Sequence, residues 1–217
     1  MIYLIGGPPR CGKTSLAKKL SAHLHVPWIS ADTLESIVET TWVSALGSRE
    51  TKEYQKLFPK SALKATTDGS NDAFYTAYST SEIVEAYKTQ AQTTWEAIRT
   101  MLLCEIHYEH SYIIEGHQLH PELVAALLGG NTPDTIKTLF LIRHDQTAIA
   151  ENIQKNTAVG DWVINKTREP ETFPKISAMI AGYSEYIEQQ AVMYNLPVFN
   201  TDGAFSTQLE KAMRLLA

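Results

Sequence analysis

Nine consecutive residues, Gly7-Pro8-Pro9-Arg10-Cys11-Gly12-Lys13-Thr14-Ser15, have the types and spacing needed to grip phosphate. The pattern is a glycine, four residues, then glycine, lysine and a hydroxyl. Backbone amides of such a loop point at phosphate oxygens, and Gly12 lets the backbone come close. Lys13 has the length to reach the β- and γ-phosphates, and Thr14 offers its hydroxyl to Mg²⁺. The chemistry this implies is binding of a nucleoside triphosphate with magnesium and movement of its γ-phosphoryl group. Cys11 reads as a small residue filling the loop, whose thiol pKa the following helix N-terminus would lower.

Two acids stand where strands are expected to end. Asp32 follows Pro27–Ser30 and suits acceptance of a proton from an attacking hydroxyl. It also suits an N-cap, with Glu35 three residues on. Glu115 follows Tyr112-Ile113-Ile114, where a carboxylate can hold a magnesium-bound water. Glu115, His117 and His120 bring a zinc cluster to mind, but no fourth ligand has a supporting spacing.

Charge developing on a phosphoryl group needs cations. Arg10 lies within the loop and Arg143 closes a strand-like run, so both are candidates, Arg143 for a catalytic role. Lys155, Lys166 and Arg168 flank a polar segment at 157–173 that reads as a lid, and Arg168 is its catalytic candidate. Lys52, Lys56, Lys60 and Lys64 recur every four residues near Arg49. They form either a solvated face paired with Glu53 or a basic flap over an anionic substrate. Pro59 breaks any single helix through them.

These residues require elements to hold them. Ile2–Ile5 is an apolar run ending in glycine, expected as a buried strand. Lys13–Leu24 is an expected helix, with Leu16, Leu20 and Leu24 stacked and Pro27 beyond its end. A helix to about Leu46 follows Asp32, with Leu34, Ile37, Val38 and Trp42 on one face and Gly47 as its stop. Residues 48–78 read as polar and irregular. Ser79 with Glu82 forms a capping box for a long helix ending near His107, whose apolar face includes Ile83, Tyr87, Trp95, Ile98 and Leu102. Ser111–Ile114 reads as a strand, and Pro121 opens a short helix stopped by Gly129 and Gly130. Ile136–Ile142 is the clearest strand. Asp145 caps the next helix, and a helix from Pro174 to Tyr194, a strand at Val198–Asn200 and a helix from Phe205 complete the chain. Strands alternating with helices mean an α/β fold with a parallel sheet covered on both faces. Segments 48–108 and 157–173 interrupt the alternation, and are expected as a substrate flap and a lid over the strand ends of a single domain spanning 1–217.

The bulk properties narrow the partners. The 217 residues are 44% hydrophobic with net charge -5, enough for one core and too acidic for a broad nucleic-acid surface. Two isolated cysteines suggest a reducing, cytoplasmic setting. No membrane-length apolar run and no leader-like N-terminus is read. A GTPase is excluded by Asn165-Lys166-Thr167-Arg168, which carries arginine where guanine recognition needs aspartate, and by the lack of any D-x-x-G. A nucleotide-dependent switch without an acceptor stays open as the alternative.

Four stretches together resemble P-loop small-molecule kinases, and 2-phosphoglycerate kinases in particular. They are Gly6 through Thr14, Ile29-Ser30-Ala31-Asp32-Thr33-Leu34, Tyr87-x-x-Gln90-Ala91, and Ile113-Ile114-Glu115-Gly116-His117 with Pro121. The resemblance implies the three-layer P-loop fold, with a five-stranded parallel sheet in the order 2-3-1-4-5. It implies ATP and Mg²⁺, an anionic small-molecule acceptor, Asp32 and Glu115 in the site, and the Asn200–Gly203 turn, hence Asp202, near the adenine. Zeta-toxin-like and antibiotic phosphotransferases share that skeleton. The chain departs from the pattern at Glu151-Asn152-Ile153-Gln154-Lys155-Asn156, which lacks the arginine pair of related kinases and leaves Lys155 and Arg168 to stand in.

Overall fold

Ile2–Gly6 forms β1, all five residues buried, and Tyr112–Glu115 (β3) and Ile136–Ile142 (β4) pair with it in parallel on either side. Trp28–Ser30 (β2) adds to β3 and Val198–Asn200 (β5) adds to β4, giving the strand order 2-3-1-4-5. This is the expected sheet of the three-layer α/β fold. The structure, a computed structural model, describes residues 1–129, 134–155 and 162–216. Gly130 and residues 157–161 of the expected lid lie outside the described residues.

The helices cover the sheet by burying apolar stripes. Lys13–Leu24 (α1) sinks Leu16, Ala17 and Leu20, and packs with Phe205–Leu216 (α11). Thr80–His107 (α6) and Thr172–Met193 (α10) pack on each other, and α10 also meets β4 and Pro121–Leu128 (α7). The Ser79–Glu82 capping box forms as read, and Gly129 ends α7 in the left-handed conformation. Asp145 accepts the Ala148 N–H at the start of Gln146–Lys155 (α8). No helix among the described residues is long and apolar enough to cross a membrane.

Three expectations need correction. Ala31–Leu46 (α2) is capped by Ser30, whose hydroxyl accepts the Asp32 N–H, so Asp32 is not the cap. The helix starts one residue after β2, which places Asp32 inside its first turn. Nor is the apolar face of α2 sealed, since Ile37 is 58% exposed. Residues 48–78 are not irregular. They form Lys52–Leu57 (α3), Pro59–Ala65 (α4) and Asn71–Ala77 (α5), with Thr51 and Ser70 as caps and Pro59 starting α4. Polar composition hid four buried aromatics there, Tyr54, Phe58, Phe74 and Tyr75, the first two stacked at 5.3 Å. Glu39 of α2 ties this insertion down, accepting from the Tyr54 hydroxyl and from Ser61.

One glycine is demanded by packing as well as by conformation. Gly7 has φ +129, and a Cβ there would stand 2.0 Å from the Leu141 carbonyl oxygen of β4. Gly47 also has positive φ, +74, but open space around it. Gly7→Ala is therefore expected to cost about 3 kcal/mol or more, and Gly47→Ala about 1 kcal/mol, read as the shift in urea midpoint of the purified variants.

Candidate active site

The parallel register brings the chemistry to one edge. Glu115 pairs with Ile5 on one side and Ser30 on the other, and Gly6 pairs with Phe140. Beyond these strand ends opens a crevice of about 860 Å³. Pro9, Arg10, Gly12, Lys13, Thr14, Ser15, Asp32, Glu115 and Arg143 all line it. Glu35, Lys60, Lys64, Tyr87, His117 and Phe205 line it too, and the sequence reading gave none of these a settled role.

The phosphate loop is built to present donors. Gly12 precedes α1 in the left-handed region, and no side chain caps that helix. Its first-turn amides therefore face the crevice without a side-chain acceptor, the arrangement that takes an anion. Lys13 is buried, with its ammonium on the Pro8 carbonyl at 2.7 Å. The Thr14 hydroxyl donates to Glu115 at 3.0 Å. A hydroxyl and a carboxylate side by side are hard oxygen donors suited to Mg²⁺. Gly7 and Pro8 are buried and are not among the lining residues. Cys11 is buried, and burial pushes its thiol up to about 11 despite Lys13 nearby, the reverse of the lowering expected at a helix start.

Asp202, on the turn after β5, is tied to the end of β4. Its carboxylate holds Arg143 Nε at 3.3 Å and accepts the backbone N–H groups of His144 and Asp145. It aims a buried arginine at the crevice and does not line it. Burial works to raise its pKa, but these donors hold the carboxyl below its usual value. The neighbouring Thr201 hydroxyl lies 3.2 Å from the Cys11 carbonyl and 3.1 Å from that of Ile142, strapping the phosphate loop to β4. Phe205, 51% exposed, is the aromatic of this region that reaches the crevice.

Arg168 is exposed and is not among the crevice residues. Its N–H and that of Glu169 donate to Asp72 of α5, which also accepts from Thr172 at the start of α10. Lys155 at the end of α8 does line the crevice.

The far wall comes from α2, α4 and the loop after β3. Lys60 and Glu35 are both buried and ion-paired there. Lys60 also reaches His117 Nε2 at 3.2 Å and lies 5.1 Å from the Tyr87 ring centre. Burial, then Lys60, holds the His117 pKa well below the usual histidine range, so His117 is neutral and accepts from the lysine. Burial opposes ionisation of Glu35, but Lys60 and Gln118 outweigh it and its pKa lies below the usual value. Burial first, then Lys60, brings the Lys64 ammonium down to about 8. Gln90 on α6 accepts from Ser61 N–H and donates to its hydroxyl, fixing α4 in place. Lys60 and Lys64 thus face the crevice, while Lys52 and Lys56 are exposed on α3. Glu115, His117 and His120 do not converge, since His120 Nε2 bonds the Tyr183 hydroxyl at 2.6 Å, and no group of three such ligands gathers among the described residues.

No protein-family model matches the chain, and no curated protein matches it in sequence. Solved structures of similar shape include a shikimate kinase from Bacteroides thetaiotaomicron, at 17% identity over 100% of this chain and 96% of that one, TM-score 0.49. A gluconokinase from Sinorhizobium meliloti 1021 matches at 12% identity over 99% and 90%, TM-score 0.48. A sugar kinase from Janibacter sp. HTCC2649 matches at 13% over 99% and 93%, TM-score 0.46. At such values these likenesses decide nothing about the reaction.

The buried charges give two expectations. Only Cys104 should react with a thiol reagent in the native protein at pH 8, both cysteines after unfolding, because Cys11 is buried and protonated. The Glu35 carboxyl has a folded pKa below its unfolded value of 4.5, so it stabilises above that pH and loses the contribution as pH falls below 4.5. Lys60→Met leaves that carboxylate buried without its cation and should destabilise by about 3–5 kcal/mol at pH 7. With the cation gone and the Gln118 amide left to oppose burial, the Glu35 pKa then rises, so the gap to the wild type should narrow toward pH 5 in denaturation curves.

Proposed function

We propose that this chain moves the γ-phosphoryl group of ATP to a hydroxyl of a small anionic metabolite, with 2-phosphoglycerate the first acceptor to test. The observation that carries this reading is one crevice holding both a phosphate loop with its lysine and, on the opposite wall, a carboxylate beside the lysines of α4. The acceptor choice rests further on the resemblance of the Glu115–Pro121 stretch and on Lys60 and Lys64 facing inward. In this reading residues 1–217 are one domain, 48–108 its acceptor flap and 157–173 its lid.

The residues take these roles. The free amides at the start of α1 and the Lys13 ammonium, once it leaves the Pro8 carbonyl, bind the β- and γ-phosphates. Thr14 would hold Mg²⁺ directly and Glu115 through water, and the ion when bound offsets charge on those phosphates. Asp32 accepts the proton of the acceptor hydroxyl as its oxygen bonds to the γ-phosphorus and the bond to the β-phosphate oxygen breaks, leaving ADP. Arg143, aimed by Asp202, and Lys155 face the charge on the transferred group. Lys64 supplies a cation for the acceptor's anionic group, and its lowered pKa implies an acceptor affinity that weakens as pH rises through about 8.

Purified protein with ATP and Mg²⁺ should consume ATP when given one of 2-phosphoglycerate, nucleosides, nucleotides or amino sugars, and that compound should gain the phosphate. Lys13→Ala should cut turnover about 10³-fold with the fold intact. Asp32→Asn should cut kcat by about 10²–10⁴-fold with the KM for ATP little changed. Full turnover in Asp32→Asn would remove Asp32 as the base. ATP binding that no acceptor accelerates would favour a nucleotide-dependent switch.

A further inference from the structure

Asp32 is a poorly restrained residue for a base. Its side chain is 69% exposed on the first turn of α2, and Ser30 has taken the cap that would have fixed it. A carboxylate so placed samples several rotamers unless something holds it. His117 Nε2 is 3.8 Å away, too far for a hydrogen bond, and it already accepts from Lys60. Among the described residues one side chain donates to that carboxylate, Gln118, whose Nε2 lies 2.8 Å from Asp32 Oδ1.

Gln118 is fully buried beneath α2. The second proton of its amide goes to Glu35 Oε2 at 3.1 Å, and Glu35 is itself anchored by Lys60. The amide cannot be reversed, because its oxygen would then face two carboxylates. In the observed orientation that oxygen is buried with no partner, an unfavourable arrangement. Room for it exists only because residue 116 is glycine: a Cβ there would lie 2.5 Å from Gln118 Oε1 and 2.6 Å from Ala31 Cβ. A buried amide that leaves its acceptor unsatisfied in order to point both donors at acids is arranged for those acids.

We propose that Gln118 is a positioning residue: its amide, clamped by the Glu35–Lys60 pair, holds the Asp32 carboxylate in one orientation toward the crevice. The proposal rests on the reading of Asp32 as the base. A neutral donor suits the task, since it restrains the carboxylate without placing a formal positive charge on it. The clamp also ties the base to α4, because Lys60 belongs to the flap. Orientation of a catalytic group is worth large factors in rate, so loss of the amide acts on turnover more than on binding.

The test compares crystal structures and kinetics of wild type, Gln118→Leu and, should that variant not fold, Gln118→Met. We expect Asp32 in one rotamer in the wild type and spread over several in the variant, with Glu35 still on Lys60. We expect kcat to fall about 10- to 100-fold, both KM values to stay within about threefold, and the variant combined with Asp32→Asn to be no slower than Asp32→Asn alone. An unmoved Asp32 in the variant overturns the proposal, as do losses that multiply in the double variant. If the wild type phosphorylates no acceptor, the functional reading fails by itself, and the Asp32 rotamers in the two structures still decide the role of Gln118.

Discussion

A parallel sheet delivers the C-terminus of every strand to the same edge, and the register here decides which residues meet there. Glu115 lies between Ile5 and Ser30, so one carboxylate sits beside both the phosphate loop and the start of α2. Thr14 and Glu115 are 101 positions apart in sequence and 3.0 Å apart in space because of that register. A slip of one residue would turn Glu115 to the other face of the sheet. Everything proposed for the site depends on this shared edge.

The edge alone does not shape the phosphate end of the crevice. The turn after β5 does so, through Thr201 on the Cys11 carbonyl and Asp202 on Arg143. An arginine buried at a strand end needs a fixed acid to hold its charge and direction. Asp202 supplies both and also binds the two backbone amides that follow Arg143. Gly7 against Leu141 completes the clamp from the other side.

The acceptor end is organised by buried polar contacts. Lys60, Glu35, His117 and Gln118 are buried together where apolar side chains would pack more cheaply. Contacts within the group offset much of that cost: the lysine neutralises the acid, the neutral imidazole accepts from the lysine, and the amide donates to the acid, while His117 Nδ1 and Gln118 Oε1 stay without a partner. The insertion is thereby latched to the sheet by charge and hydrogen bonds, with Glu39 and Gln90 adding further ties. Such contacts fix direction well, which is what a site requires and a core does not.

Local pattern carried a good part of this structure. The motif Gly7–Thr14, the Ser79–Glu82 capping box, the helix Lys13–Leu24 and the strand Ile136–Ile142 were legible because each depends on neighbours within a few positions. Asp32 and Glu115 were legible as strand-end acids, and both do line the crevice. Tertiary contacts decided the rest. Only folding shows that Ser30 and not Asp32 caps α2, that Asp202 serves Arg143, and that the backbone N–H of Arg168 donates to Asp72. The pairings of Glu35, Lys60 and Gln118 were hidden for the same reason: their partners lie 25 to 86 residues away in sequence. Propensity and motif report what a residue does to its own turn, whereas the partner of a buried charge is set by packing between distant elements.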